Sequence, residues 1–174
     1  AGQLYKFVEP NLLISSGGLG TMGYEVPAAL GAQLGRPDKV VWTLAGDGGF
    51  QMTMSELATM VENDVPVKIA LLNNESLGMV RQWQTLFYNK SFVATKYTGN
   101  PDWVKLAEAY GISAIRVSRK EEVSDAITRA MEIPGPVLID FLVDKEENVY
   151  PFIPPGMSIN ELIEDPKLAE EQVR

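Results

Sequence analysis

Apolar residues along this chain keep two rhythms. Short, nearly unbroken runs occupy residues 11–15 (NLLIS), 40–45 (VVWTLA), 67–72 (VKIALL), 112–117 (ISAIRV) and 137–143 (VLIDFLV). Too short for buried helices, these runs predict strands. Between them apolar positions recur every three or four residues, the spacing that gives a helix one apolar face. That spacing predicts helices over 25–34, stopped by Gly35-Arg36-Pro37, and over 51–63, with Met54, Leu57, Ala58 and Val61 on one face. It predicts others over 77–88 and 121–132. A helix over 101–110 has Pro101 as its first residue, Asn100 as its cap and Gly111 as its stop. Residues 89–100 read as a loop. Strands alternating with such helices make βαβ units, so the fold class is α/β: an open, mostly parallel sheet of about five to six strands with helices on both faces. The expected domain spans 1–157. Its proline-rich 150–156 leaves the sheet, and 158–174 is an acidic tail with one or two short helices.

Ligands collect at the carboxyl ends of strands in such sheets, and two clusters stand there. Gly46-Asp47-Gly48-Gly49-Phe50 follows the run at 40–45, and Asn73-Asn74 ends the run at 67–72. Neighbouring strands lie about 4.8 Å apart, so adjacency of these two would set Asp47 beside Asn74. A carboxylate and an amide oxygen suit a hard cation that keeps its other positions for phosphate oxygens and water. Gly48 and Gly49 let backbone approach a phosphate, and the helix after them offers free N–H groups. Asp-Gly alone reads equally well as a turn, and Asn alone as a cap; their joint placement favours a metal-diphosphate site. Gly18-Leu19-Gly20-Thr21-Met22-Gly23 is a literal dinucleotide fingerprint. The acid it needs falls roughly 20 residues on, whereas Asp47 comes later and inside a second glycine cluster, and the Asn pair stays unexplained. Met79, Trp83 and Phe87 share a helix face, a stripe that reads as core or as site wall.

Composition narrows the choice. The 174 residues carry a net charge of −8 at pH 7 with no basic cluster, which argues against a nucleic-acid surface. Without cysteine there is no disulfide framework or thiol chemistry, in agreement with a reducing cytosol and a cytoplasmic protein. Without histidine there is no Ser-His-Asp triad or histidine-ligated zinc in the chain. No apolar run approaches the roughly 20 residues of a membrane span. Ala1-Gly2-Gln3-Leu4 shows neither an initiator methionine nor a signal peptide, as if cut from a longer chain.

Gly46-Asp47-Gly48 followed about two dozen residues later by Asn73-Asn74 resembles the signature of enzymes that bind thiamine diphosphate through Mg²⁺. The surrounding wording is similar to the catalytic subunit of acetohydroxyacid (acetolactate) synthase. It includes Ser16-Gly17-Gly18-Leu19-Gly20-Thr21-Met22-Gly23-Tyr24, Pro27-Ala28-Ala29, Phe50-Gln51-Met52, and Gly78-Met79-Val80-Arg81-Gln82-Trp83-Gln84 with Phe87-Tyr88. The likeness runs from about Tyr5 to Ile163 and corresponds to the last third of such a subunit.

The resemblance implies that Asp47, Asn74 and the carbonyl of Ser76 hold Mg²⁺, with Gly46, Gly48, Gly49, Leu77 and Gly78 around the diphosphate. It implies that the Gly20 carbonyl accepts from the aminopyrimidine and that Met22 props the cofactor into a bent shape. Met79 and Trp83 would face the reacting centre, Trp83 shaping the pocket for a second 2-keto acid, and Gln51 would help line the site. The implied reaction is carboligation: pyruvate loses CO₂ on the cofactor, and the two-carbon unit joins a second 2-keto acid for branched-chain amino acid synthesis. In the family, FAD belongs mostly to a middle domain, and a glutamate from an amino-terminal domain of the partner subunit activates the pyrimidine. No stretch here resembles either domain. The expectation is therefore the diphosphate and metal half of a site, inactive alone, that needs those domains or a partner chain. Apolar faces left bare by their absence favour a homodimer or higher oligomer. Two positions depart from the family: Glu25 stands where a small glycine is usual, and Gly49 replaces serine, harmlessly if only its amide is needed. Pyruvate oxidases and 2-keto acid decarboxylases share the Asp and Asn motifs, and a non-catalytic binding module remains a third reading.

Overall fold

The computed structural model describes residues 2–166. In chain order its elements are α1 (Glu25–Gly35), β1 (Trp42–Gly46), α2 (Asp47–Thr53), α3 (Glu56–Glu62), β2 (Lys68–Asn73), α4 (Gly78–Phe87), α5 (Trp103–Ala109), β3 (Ser113–Val117), α6 (Val123–Glu132) and β4 (Val137–Leu142). The strands pair in parallel in the order β1-β2-β4-β3. The fold is α/β, and β1 and β2 are direct neighbours with Gly46 opposite Leu72. The residues that follow at that edge are Asp47 and Asn73.

Side chains alternate between the two faces of each strand, and the faces are covered unequally. One face packs Val26 of α1, Phe50 of α2, Leu57 and Met60 of α3 and Trp103 of α5 over Ile69, Leu71 and Leu138. Phe50 and Trp103 meet edge to face at 5.5 Å. The other face is closed over β3 and β4 by Ala126 and Ala130 of α6. It is open only at Leu44 of β1 and Leu72 of β2, 53% and 43% exposed, while Lys68 and Ala70 on the same face of β2 are buried. The expected cover on both faces is therefore only partly present among the described residues.

Four further expectations need correction. The sheet has four strands among the described residues, not five or six, because the run at 11–15 forms none. Leu12, Leu13 and Ile14 are about half exposed, and an apolar run becomes a strand only where a neighbour takes its backbone hydrogen bonds. The helix expected over 51–63 is two helices. Gly46, extended at ψ 150°, caps α2 so that it begins at Asp47, and Thr53 Oγ1 donates to the Gly23 carbonyl at 2.9 Å, pinning the far end. After the break at Met54 and Ser55 the buried pair is Leu57 and Met60, while Ala58 and Val61 face out. The cap of α5 is Asp102, which accepts from Lys105 N, and Asn100 and Pro101 precede it. In the expected tail, Ile159–Glu161 form a 3-10 turn and Phe152 bridges Ile163; residues 167–174 lie outside the described residues.

Candidate functional site

Because β1 runs into α2 without a loop, Asp47 sits at the seam, 1% exposed. Its Oδ1 accepts from Gly48 N at 3.0 Å and its Oδ2 from Asn100 Nδ2 at 3.3 Å. Next door, β2 leads into a turn with Glu75 in the left-handed region, φ 52°. Asn73 Oδ1 accepts from Glu75 N at 3.3 Å, and Asn74 Oδ1 from Ser76 N at 3.1 Å. The loop before α5 ties this turn down: Leu77 N and Ser76 Oγ both donate to the Thr95 carbonyl at 2.9 Å, and Tyr97 N donates to the Glu75 carbonyl. A non-glycine residue held at positive φ costs about 1–3 kcal/mol and clusters at functional sites.

Three predicted segments meet over one glycine. A Cβ on Gly48 would overlap the Tyr97 hydroxyl and stand 2.8 Å from Leu77 Cδ2 and 3.3 Å from Met22 Cε. One on Gly78 would stand 2.8 Å from Asn74 Nδ2. Gly49 makes room for Glu25, whose Oε1 a Cβ there would overlap. The two departures from the family wording thus interlock. Met22 is 43% exposed and is not core filler. Gly20, in the left-handed region, lies in an exposed turn with nothing within 4 Å of a Cβ position. Gln51 and Met52 point outward from α2.

Met79 and Trp83 lie on α4, which begins at the Gly78 that crowds Asn74. With Val80 and Tyr88 they line an apolar groove of about 590 Å³. Trp83 meets Phe87 at 5.5 Å and Phe152 at 6.3 Å. The stripe is therefore not core. The side chains α4 buries are Arg81 and Gln82. Gln82 exchanges hydrogen bonds with Val149 at 2.8 and 3.0 Å, and Arg81 donates to Asn148 at 3.3 Å.

Burial pushes the Asp47 carboxyl above the usual carboxylate range, against the pull of hydrogen bonds from Gly48, Glu75 and Asn100. No ion pair of the described residues includes it. Tyr97 is also pushed up, first by burial and then by the Asp47 charge. A buried carboxylate facing only neutral donors calls for a cation.

Residues 1–141 match the family described as thiamine pyrophosphate enzyme, C-terminal TPP binding domain. The chain belongs to this family. It is 51% identical over 167 residues to the acetolactate synthase large subunit of Corynebacterium glutamicum, covering 93% of this chain and 27% of that one. It is 46% identical over 163 residues to the mitochondrial acetolactate synthase of Schizosaccharomyces pombe, covering 94% and 24%. It is 44% identical over 164 residues to the isozyme 2 large subunit of Escherichia coli, covering 94% and 30%. The chain thus spans between about a quarter and a third of the length of these curated relatives.

The chemistry of a TPP-binding domain fits these residues. No three His, Cys, Asp or Glu side chains converge to hold a metal among the described residues. A cation at Asp47 would draw on oxygen donors of the adjoining strand end, the Asn74 amide and the Ser76 carbonyl, and on the phosphates. That donor set suits Mg²⁺. The Cβ position above Gly48 is already filled by the Tyr97 hydroxyl, Leu77 and Met22, which can reach the backbone at the start of α2 only because residue 48 is glycine. Sequence reasoning missed Tyr97, treated Asn73 only as Asn74's neighbour and read Asn100 as a cap; nothing local to the loop at 89–100 signals what it reaches. Among the described residues no helix is long and apolar enough to cross a membrane.

Proposed function

We propose that this chain is the diphosphate- and metal-binding part of an acetolactate synthase that joins pyruvate to a second 2-keto acid in branched-chain amino acid synthesis. The observation that carries the reading is Asp47, buried at the β1–α2 seam without a counter-charge and beside a glycine at which a Cβ would meet three side chains. Asp47, Asn74 and the Ser76 carbonyl hold Mg²⁺. Gly46, Gly48 and Gly49, with Leu77 and Gly78 opposite, cradle the diphosphate. Met22 wedges under the cofactor, the Gly20 carbonyl takes the aminopyrimidine proton donor, and Met79 and Trp83 wall the substrate side. Bound thiamine diphosphate supplies the electron sink for decarboxylation and transfer of the two-carbon unit; the chain's residues orient it and exclude water around it. The pyrimidine-activating domain, the FAD-binding domain and the self-association that Leu44 and Leu72 favour belong to the same proposal, as does the cytoplasm, with which a cysteine-free composition agrees. Alone, the chain forms no acetolactate, and detectable acetolactate from it would overturn that part.

Calorimetric titration with thiamine diphosphate and Mg²⁺, on the wild type and on Asp47→Ala, tests the reading. Weak, metal-dependent binding that disappears in the variant supports it. Binding that ignores the metal or the substitution, or no binding at all by the wild type, sinks it.

A further inference from the structure

Polar side chains cross the carboxyl edge of the sheet in the order of its strands. Asp47 follows β1, Asn73 ends β2, Asp140 lies on β4 and Arg116 on β3. Asn73 Nδ2 donates to Asp140 Oδ1 at 3.0 Å, and Arg116 Nε donates to Asp140 Oδ2 at 3.0 Å. Arg116 also donates to Asp102 at 2.5 Å, beyond the end of the row. The remaining link, from Asn73 to Asp47, runs through Asn100, whose Nδ2 donates to Asn73 Oδ1 at 2.8 Å and to Asp47 Oδ2 at 3.3 Å. The polarity of the row has one solution. Arg116 only donates, and the Asp140 carboxylate only accepts. Asn73 must therefore turn its amino group to Asp140 and its oxygen to Asn100. Asn100 then faces two acceptors and must present its nitrogen, spending both hydrogens. Its own Oδ1 is left buried with no donor, and such an orphan acceptor calls for a partner.

We propose that Asn100 is a positioning residue of the cation site: its amide nitrogen sets the orientation of the Asp47 carboxylate, and its free Oδ1 accepts from a water carried by the cation. Mg²⁺ keeps several of its waters in such sites, and partners of metal ligands set both ligand orientation and affinity. The inference rests on Asp47 being a metal ligand, as proposed above.

Mn²⁺ binding to the 174-residue chain with thiamine diphosphate present, followed by the paramagnetic resonance of the free ion, is the test. It compares the wild type with Asn100→Ala, Asp47→Ala and Lys68→Met, alongside melting temperatures in chelator. Lys68 donates to Ile133 and Gly135 carbonyls, so its variant lowers stability without touching the row. Asn100→Ala is expected to weaken Mn²⁺ binding about 10–100-fold, the usual range for a residue that supports a ligand. Lys68→Met is expected to lower the melting temperature and keep the affinity. If affinity follows melting temperature through both variants, or if Asn100→Ala binds like the wild type while Asp47→Ala does not, Asn100 is only structural and the inference falls alone. If Asp47→Ala binds like the wild type, or the wild type does not bind, the cation site falls and the inference with it. Asn100→Ser, too short to reach Asp47, replaces the alanine variant should that one fail to fold.

Discussion

Asp47 shows at the scale of one residue what a binding site costs its own fold. Burial raises its carboxyl in the folded state, so the protonated form favours folding. Its contribution is fully present below the unfolded value of about 3.9 and is lost as pH rises through the higher folded value. Asp47→Asn removes the charged form. Thermal scans in chelator should place its melting temperature above wild type at neutral pH, with the gap closing as pH falls towards about 4. The same variant should lose Mg²⁺-dependent cofactor binding by more than the ~100-fold upper range of a supporting residue. The glycines beside it are unequal. Gly48→Ala meets three side chains at once, one of them a rigid ring, and urea unfolding should register a loss of about 1–3 kcal/mol. Gly49→Ser meets mainly the tip of a flexible glutamate, so its loss should stay below ~1 kcal/mol and shrink further in an Glu25→Gly background. That a glycine is needed at 48 was legible in the motif. That position 49 answers to Glu25 was not, because the pairing exists only where α1 packs on α2.

At the scale of elements, the alternation of apolar runs placed α1, β1, β2, α4, β3, α6 and β4 to within a few residues. Runs and periods reflect local burial, which neighbouring residues share. The failures lie where a distant contact overrides the local pattern. Thr53 holds the Gly23 carbonyl where α2 stops, and the side chain of Asn100 is taken by Asp47 and Asn73, leaving Asp102 to cap α5. Arg116 ties that cap to β3 and β4 through Asp140, which is 0% exposed. Arg116→Ala leaves a buried carboxylate with only the Asn73 amide. Removing one partner of a buried pair costs about 3–5 kcal/mol; with half-exposed Arg116 the denaturation midpoint should report the lower end of that range.

At the scale of the whole molecule, the sheet is an incompletely covered layer. Leu44 and Leu72 lie on neighbouring strands of the face that α6 leaves open, and contiguous apolar surface of this kind marks an interface. Sedimentation should show concentration-dependent association of the wild type, shifted towards monomer by Leu44→Lys with Leu72→Lys while far-ultraviolet dichroism stays unchanged. A monodisperse monomer in the wild type would remove that expectation. Most of the elements, the glycines after β1 and the Asp and Asn at two strand ends were written in local order along the chain, since each depends on residues within a few positions. Strand order, the failure of 11–15 to pair, the burial of Arg81 and Gln82 and the reach of Asn100 to Asp47 were not. These depend on contacts between distant segments, across 53 positions for Asn100 and 67 for Arg81 and Gln82, where the free energy of a contact is set by packing between whole elements and leaves no periodic trace in either partner's own segment.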